Sequence, residues 1–227
     1  MNTATFENNR WSTKGQTIEF RHRAALSLLK KSAVRRANIP ILDLGSGDGL
    51  FLRLLRENGF DATGVDISEV AAKRCRKDGL AVVTCDFSSA PLPFSNGSFD
   101  YVLALDVLEH LYEPQAVLAE MARVSTGGVI IAVPNFSSLP ARIQALLGRV
   151  PENNTPHKGH IYWFNWGVLS ALLKKNGFVV TRRLVNAPWE KILLVSSCMR
   201  ALARLWPSMF ALSFVVMCTP AHLAKKS

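Results

Sequence analysis

Seven residues, Asp43-Leu44-Gly45-Ser46-Gly47-Asp48-Gly49, carry the clearest chemical signal in the chain. Glycines at alternate positions let the backbone turn tightly and approach a ligand closely, because no Cβ intervenes. An apolar run, Ile39 to Leu44, precedes the turn, and a helix-like stretch, Leu50 to Asn58, follows it. A helix start leaves N–H groups unbonded, and these face whatever the turn holds. A second acid, Asp66 of Gly64-Val65-Asp66-Ile67, lies 21 residues after Gly45. At that spacing a carboxylate can accept from both hydroxyls of a ribose. The plainer alternative is a strand-terminal Asp that caps the next helix. Asp86 of Cys85-Asp86-Phe87 ends a third apolar run. It could accept from an adenine amino group with Phe87 against the ring, or be a loop acid beside a core Phe.

Other residues suit proton transfer or metal binding. Asp106, Glu109 and His110 follow a fourth apolar run, and His157 and His160 lie in a long irregular stretch. His110, His157 and His160 are candidate bases. Asp106, Glu109 and His110 would suit Mg²⁺ or Mn²⁺. Simple lining of a pocket is the alternative, and no metal is expected. Asn135 of Val133-Pro134-Asn135-Phe136 either contacts substrate or satisfies its own backbone in a turn. Trp163, Phe164, Trp166 and Trp189 either wall an apolar pocket or pack a helix start.

These residues need a scaffold of alternating strands and helices. Apolar runs predict strands over 39–44, 62–66, 80–85, 101–105, 129–133, 178–184 and 210–218. Helical patterns cover 16–36, 50–58, 69–78, 114–124 and 165–176, with a short helix at 140–147. Gly127 and Gly128 are expected to close the helix at 114–124. Ile18, Ala25, Leu28, Leu29 and Ala33 form the expected apolar stripe of the first helix. Such alternation implies βαβ units and a largely parallel sheet.

The chain has 227 residues, 48% hydrophobic and 19% charged, which suits one folded domain rather than disorder. That domain divides into a basic helical segment (1–36), a first half (38–134), a candidate lid (135–165) and a C-terminal half (166–227). Net charge is +10. Residues 1–36 hold eight Lys and Arg against Glu7 and Glu19, a surplus of +6. That surplus is a solvated helix face or an attraction for anions, and no nucleic-acid motif accompanies it. Cys75, Cys85, Cys198 and Cys218 form no C-x-x-C pair, which fits a reducing, cytoplasmic setting. No apolar leader opens the chain. Residues 192–218 are apolar but interrupted by Arg200, Arg204 and Pro207. They read as a helix followed by a strand, with peripheral membrane contact as a second reading.

Together the Gly-rich turn, Asp66, Asp86, the Phe99-Asp100-Tyr101 strand start and Asp106-Val107-Leu108-Glu109-His110-Leu111 resemble the class I S-adenosylmethionine-dependent methyltransferases (methyltransferase type 11). The resemblance covers roughly residues 38–180. It implies a Rossmann-like α/β fold: a seven-stranded, mostly parallel sheet ordered 3-2-1-4-5-7-6, helices on both faces, and the last-inserted strand antiparallel. It implies S-adenosylmethionine held by Asp43, Gly45, Ser46, Gly47, Gly49, Asp66, Ile67, Asp86, Phe87 and Leu105. A nicotinamide dehydrogenase would want its third Gly at position 50, which is Leu50. Asp-x-x-Glu-His is also similar to the Glu-x-x-Glu-His of metal-assisted methyltransferases, where a later His (here His157 or His160) completes the set. Residues Pro134 to Phe178 resemble the group that includes the methionine-biosynthesis protein MetW and quinone O-methyltransferases. The implied activity is methyl transfer to an oxygen or nitrogen of a small molecule. Alternatives are an RNA or protein acceptor, suggested by the basic segment, and a cofactor-binding accessory protein.

Overall fold

The computed structural model describes residues 5, 7–8, 17–32, 38–155, 158–188 and 193–224. Its elements are α1 (Phe20–Ser32), β1 (Ile39–Leu44), α2 (Leu50–Glu57), β2 (Phe60–Asp66), α3 (Glu69–Lys77), β3 (Ala81–Thr84) and β4 (Phe99–Leu105). A single 3₁₀ turn, Leu108–His110, leads to α4 (Pro114–Val124) and β5 (Ser125–Pro134). After α5 (Leu139–Leu146) come α6 (Trp166–Lys175), β6 (Phe178–Asn186), α7 (Leu193–Leu205), α8 (Pro207–Phe210), β7 (Ser213–Pro220) and α9 (Ala221–Ala224).

The seven strands form one sheet in the order β3-β2-β1-β4-β5-β7-β6. Strands β1 to β5 run parallel, and β7 runs antiparallel between β5 and β6. Successive side chains alternate faces. In β4 and β5, Val102, Ala104, Val129, Ile131 and Val133 enter one core with Val117, Leu118 and Met121 of α4. Leu103, Ile130 and Ala132 enter the other with Ala25, Leu28 and Leu29 of α1 and Phe51 and Leu55 of α2. Helices on both faces explain why β1 reads as a continuous apolar run. The chain order reverses between β1 and β4, and the crevice at that reversal is where open α/β sheets bind ligands.

Three expectations change. Helix α4 passes directly into β5, so Gly127 and Gly128 lie within the strand. They serve close approach: a Cβ on Gly127 would lie 2.8 Å from the Asp100 carbonyl oxygen, and one on Gly128 2.8 Å from that of Cys218. The β4–β5 register shifts here, with Thr126 and Gly127 bulging opposite Asp100. Second, α1 begins at Phe20, and Ile18 stands in a surface cleft instead of the core stripe; Ala33 lies outside the described residues. Third, β7 starts at Ser213, because Phe210 closes α8. Its apolar residues lie inside the sheet, so the apolar character of 213–218 reflects core packing. Of the two readings of the aromatics, packing fits Phe164, buried in the core, and Trp166, which packs on Phe214 beneath the Arg183 guanidinium. Neither walls a pocket, Trp163 is exposed, and Trp189 lies outside the described residues. Among the latter, no helix is long and apolar enough to cross a membrane.

Asn135 has no exposed surface. Its side-chain amide donates toward the carbonyls of Pro207, Ser208 and Ala211, at 3.3, 3.1 and 2.7 Å. Its Oδ1 accepts from Ser137 N–H in an Asx turn. Of the two roles open to it, the geometry gives the structural one: it ties the end of β5 to the corner before β7. Asn135→Ala should therefore cost about 2–3 kcal/mol, because buried carbonyls lose their donor. Urea unfolding checks this, and a cost below about 0.5 kcal/mol would remove the tie from the account.

Candidate functional site

The Gly-rich turn folds as its composition requires. Gly45, Gly47 and Gly49 all take left-handed φ, at 72°, 54° and 76°. Gly45 and Ser46 N–H both bond the Val65 carbonyl, at 2.8 and 3.2 Å, fastening the turn to the end of β2. A Cβ on Gly49 would strike Leu80 and Cys75, at 2.5 and 2.9 Å, so α2 and α3 approach closely only with glycine here. Asp66 completes the turn. One oxygen accepts from Gly47 N–H at 2.8 Å, the other from Ser68 N–H at 2.8 Å. Ser68 caps α3 through Ala71 N–H. The cap of α3 is thus Ser68, and Asp66 is a buried carboxylate that holds the backbone of both turns.

Asp43 lies behind the turn and is buried. Burial, then nearby Asp66, push its carboxyl up to about 8 against the opposing effect of Arg21. Asp86 and Phe87 are half-buried beyond β3. Asp86 accepts from Ser88 N–H at 3.1 Å and from the Ser88 hydroxyl. Burial raises its carboxyl, but the bonds from Ser88 and Ser89 outweigh it and the net shift is downward. Phe87 packs against the core, and Ile67 and Leu105 are half-buried at the ends of β2 and β4.

Beyond β4 the chain makes a left-handed residue at Asp106, φ 56°, a conformation that Asp tolerates better than most side chains. Its carboxylate meets Arg21 at 2.8 Å, and Arg21 also pairs with Glu19. Asp106 is therefore not part of a cluster with Glu109 and His110. His160 takes that place: ligand atoms of Glu109, His110 and His160 lie within 4.8 Å of one another. Glu109 is buried, and the two imidazole centroids are 4.9 Å apart. His110 Nδ1 lies 3.0 Å from the Gly159 carbonyl, and His160 Nδ1 2.7 Å from that of Asn153. A carbonyl at Nδ1 favours a proton there and leaves Nε2 as the basic nitrogen. His157 lies outside the described residues.

A cleft of about 580 Å³ opens at the ends of β4, β5, β6 and β7. It is lined by Ile18, Arg21, Arg23, Asp106, Pro134, Ala141, Gln144, Asn153 and Ser213, among others. It shares Asp106 with the β4 exit and Asn153 with the imidazole pair. Sequence reasoning missed Arg21 and His22 as members of this region. His22 is buried against Phe51 and accepts from Glu19 N–H at 3.1 Å. Burial, then Arg21 and Arg23, push it down to about 4, so it packs as a neutral ring. The only early signal was the apolar helix pattern around it.

The Asp43 proton has a measurable consequence. An unfolded Asp releases its proton near 3.8, whereas the folded one holds it to about 8. Between those values the folded state binds more protons, so this group makes stability fall as pH rises. Asp43→Asn removes that dependence. Relative to the variant, the wild type should lose stability between pH 5 and pH 8 by denaturant unfolding; parallel curves would show that Asp43 ionises normally.

The comparisons with known proteins agree with this geometry. A methyltransferase domain family model matches residues 17–183. The ubiquinone biosynthesis O-methyltransferase of Methylococcus capsulatus is 34% identical over 113 residues, 47% of this chain and 48% of that protein. The 27-O-demethylrifamycin SV methyltransferase of Amycolatopsis mediterranei is 29% identical over 151 residues, 63% and 56% of the two chains. The chain thus spans about half the length of the curated relatives it matches. The magnesium protoporphyrin IX methyltransferase of Synechocystis, solved with the demethylated cofactor bound, superposes with a TM-score of 0.64 at 17% identity, over 96% of this chain and 94% of that one. That likeness concerns the fold. The chain belongs to the methyltransferase domain family, with the class I fold and S-adenosylmethionine as its cofactor.

Proposed function

We propose that the chain methylates an oxygen, or in second place a nitrogen, of a small-molecule acceptor of the phenol or quinol type. The observation that carries this reading is the cleft beside Asp106 and the imidazole pair, adjoining a crevice suited to S-adenosylmethionine. The similar proteins named as ubiquinone and rifamycin O-methyltransferases support it.

The residues present fit the cofactor. The Gly-rich turn, with Asp43 and Ser46, would receive its amino-acid end. Asp66 would accept from the ribose hydroxyls and Asp86 from the adenine amino group, with Ile67, Phe87 and Leu105 beside the base. When bound, S-adenosylmethionine supplies a methyl group on a positively charged sulfur that leaves as a neutral thioether. The protein then has to orient the acceptor and take up its proton. His110 and His160, with Nε2 as the basic atom, are the candidate bases.

Asp66→Ala should weaken binding of the demethylated cofactor product by ~1.5–3 kcal/mol, the range for bonds to a charged group. Titration calorimetry on folded variant reads this directly, and unchanged affinity would remove Asp66 from ribose binding.

A second reading, favoured by the Glu109-His110-His160 cluster, gives those residues Mg²⁺ or Mn²⁺, which would draw the acceptor oxygen toward its anion. His160→Ala should lower turnover under either reading. Chelation distinguishes them: an imidazole base leaves activity intact in EDTA, whereas a metal-held acceptor loses it and regains it on adding Mg²⁺.

A further inference from the structure

Helix α5 presents its apolar side outward. Ile143, Leu146, Leu147 and Val150 are 42, 86, 66 and 66% exposed, at spacing i, i+3, i+4, i+7. That spacing places Ile143, Leu146 and Leu147 on one face of the helix and its cap, and Val150 follows the left-handed turn at Gly148. The opposite face holds Ala141, which is buried, and Gln144, which lines the cleft. A surface helix normally points its apolar stripe at the core, so this orientation is inverted.

The same end of the molecule carries a second apolar cluster. Leu205 and Trp206, at the end of α7, are 83 and 62% exposed. Pro134 of β5 and Asn186 of β6 both pair with Ser213 of β7, so α5 and the α7–α8 corner leave the sheet at one edge. The Asn135 amide holds that corner against the chain leading into α5. The cleft opens at this edge, lined by Pro134, Ala141, Leu212 and Ser213.

Charge says what covers these residues. Arg142 and Arg149 are exposed beside the α5 stripe, and Arg200 and Arg204 are exposed on α7. No Asp or Glu occurs between Leu139 and Pro151, or between Leu193 and Phe210. Protruding aliphatic and Trp side chains flanked by arginines suit a bilayer interface with anionic headgroups. We propose that the outward face of α5, with Leu205 and Trp206, docks on an anionic bilayer and sets the cleft mouth against it. The docking stands apart from the identity of the methyl acceptor.

The test is flotation of the full chain with phosphatidylcholine vesicles, with and without phosphatidylglycerol. The wild type should bind the phosphatidylglycerol vesicles and detach as salt rises. Leu146→Asp with Leu147→Asp should lower bound protein at least about tenfold, since fewer apolar side chains enter the interface. Arg142→Ala with Arg149→Ala should lose the preference for anionic vesicles. All four positions are exposed, and unchanged affinity for the demethylated cofactor product confirms folding and an intact cofactor site. The proposal is overturned if the wild type ignores both vesicle types, or if the double Asp variant binds equally well. It is also overturned if sedimentation shows a wild-type dimer that the double Asp variant abolishes without any lipid binding.

Discussion

The Asp66 carboxylate joins two strand ends and two helix starts, and the rest of the site depends on that junction. It bonds Gly47 N–H after β1 and Ser68 N–H after β2, while Val65 of the same strand end accepts from Gly45 and Ser46. Helices α2 and α3 then start from fixed points beside the crevice at the β1–β4 reversal. The junction also orders the local charge. Asp43, buried beside Asp66, cannot easily carry a second negative charge and stays protonated near neutrality. Arg21 then serves three acids, Asp43 at a distance and Asp106 and Glu19 by direct contact.

Much of this frame was legible in the sequence. The strand runs were visible because helices cover both faces of the sheet, leaving central strands apolar throughout. The Gly-rich turn and Asp66 were visible because a close backbone approach limits both residue type and spacing. Local rules failed where contacts run between distant segments. Gly127 and Gly128 look like a helix stop until the carbonyls of Asp100 and Cys218 are seen against them. Asn135 is open in sequence to a substrate contact or a turn, and its turn bond to Ser137 is local, yet the carbonyls its amide donates to lie more than 70 positions away. Asp106 was grouped with Glu109 and His110 by proximity in sequence. Its left-handed backbone and Arg21 turn it aside, and His160 arrives from the lid.

Residues 159–162 are part of the same frame. The Glu109 carbonyl accepts from both Ile161 and Tyr162 N–H, at 2.8 and 3.0 Å, and His110 Nδ1 lies 3.0 Å from the Gly159 carbonyl. Residues 159–162 are thus fastened to the 3₁₀ turn after β4. Helix α1 reaches the same exit from the other side, through Arg21 and Asp106. The short segment 106–110 accordingly meets the cleft, residues 159–162 and the first helix. A shift of residues 159–162 would act on the bonds that orient His110, and a shift of α1 on the Arg21–Asp106 pair. Alignment governs methyl transfer, where small displacements matter greatly, so under the proposed function this segment would link the cleft to the positions of His110 and His160.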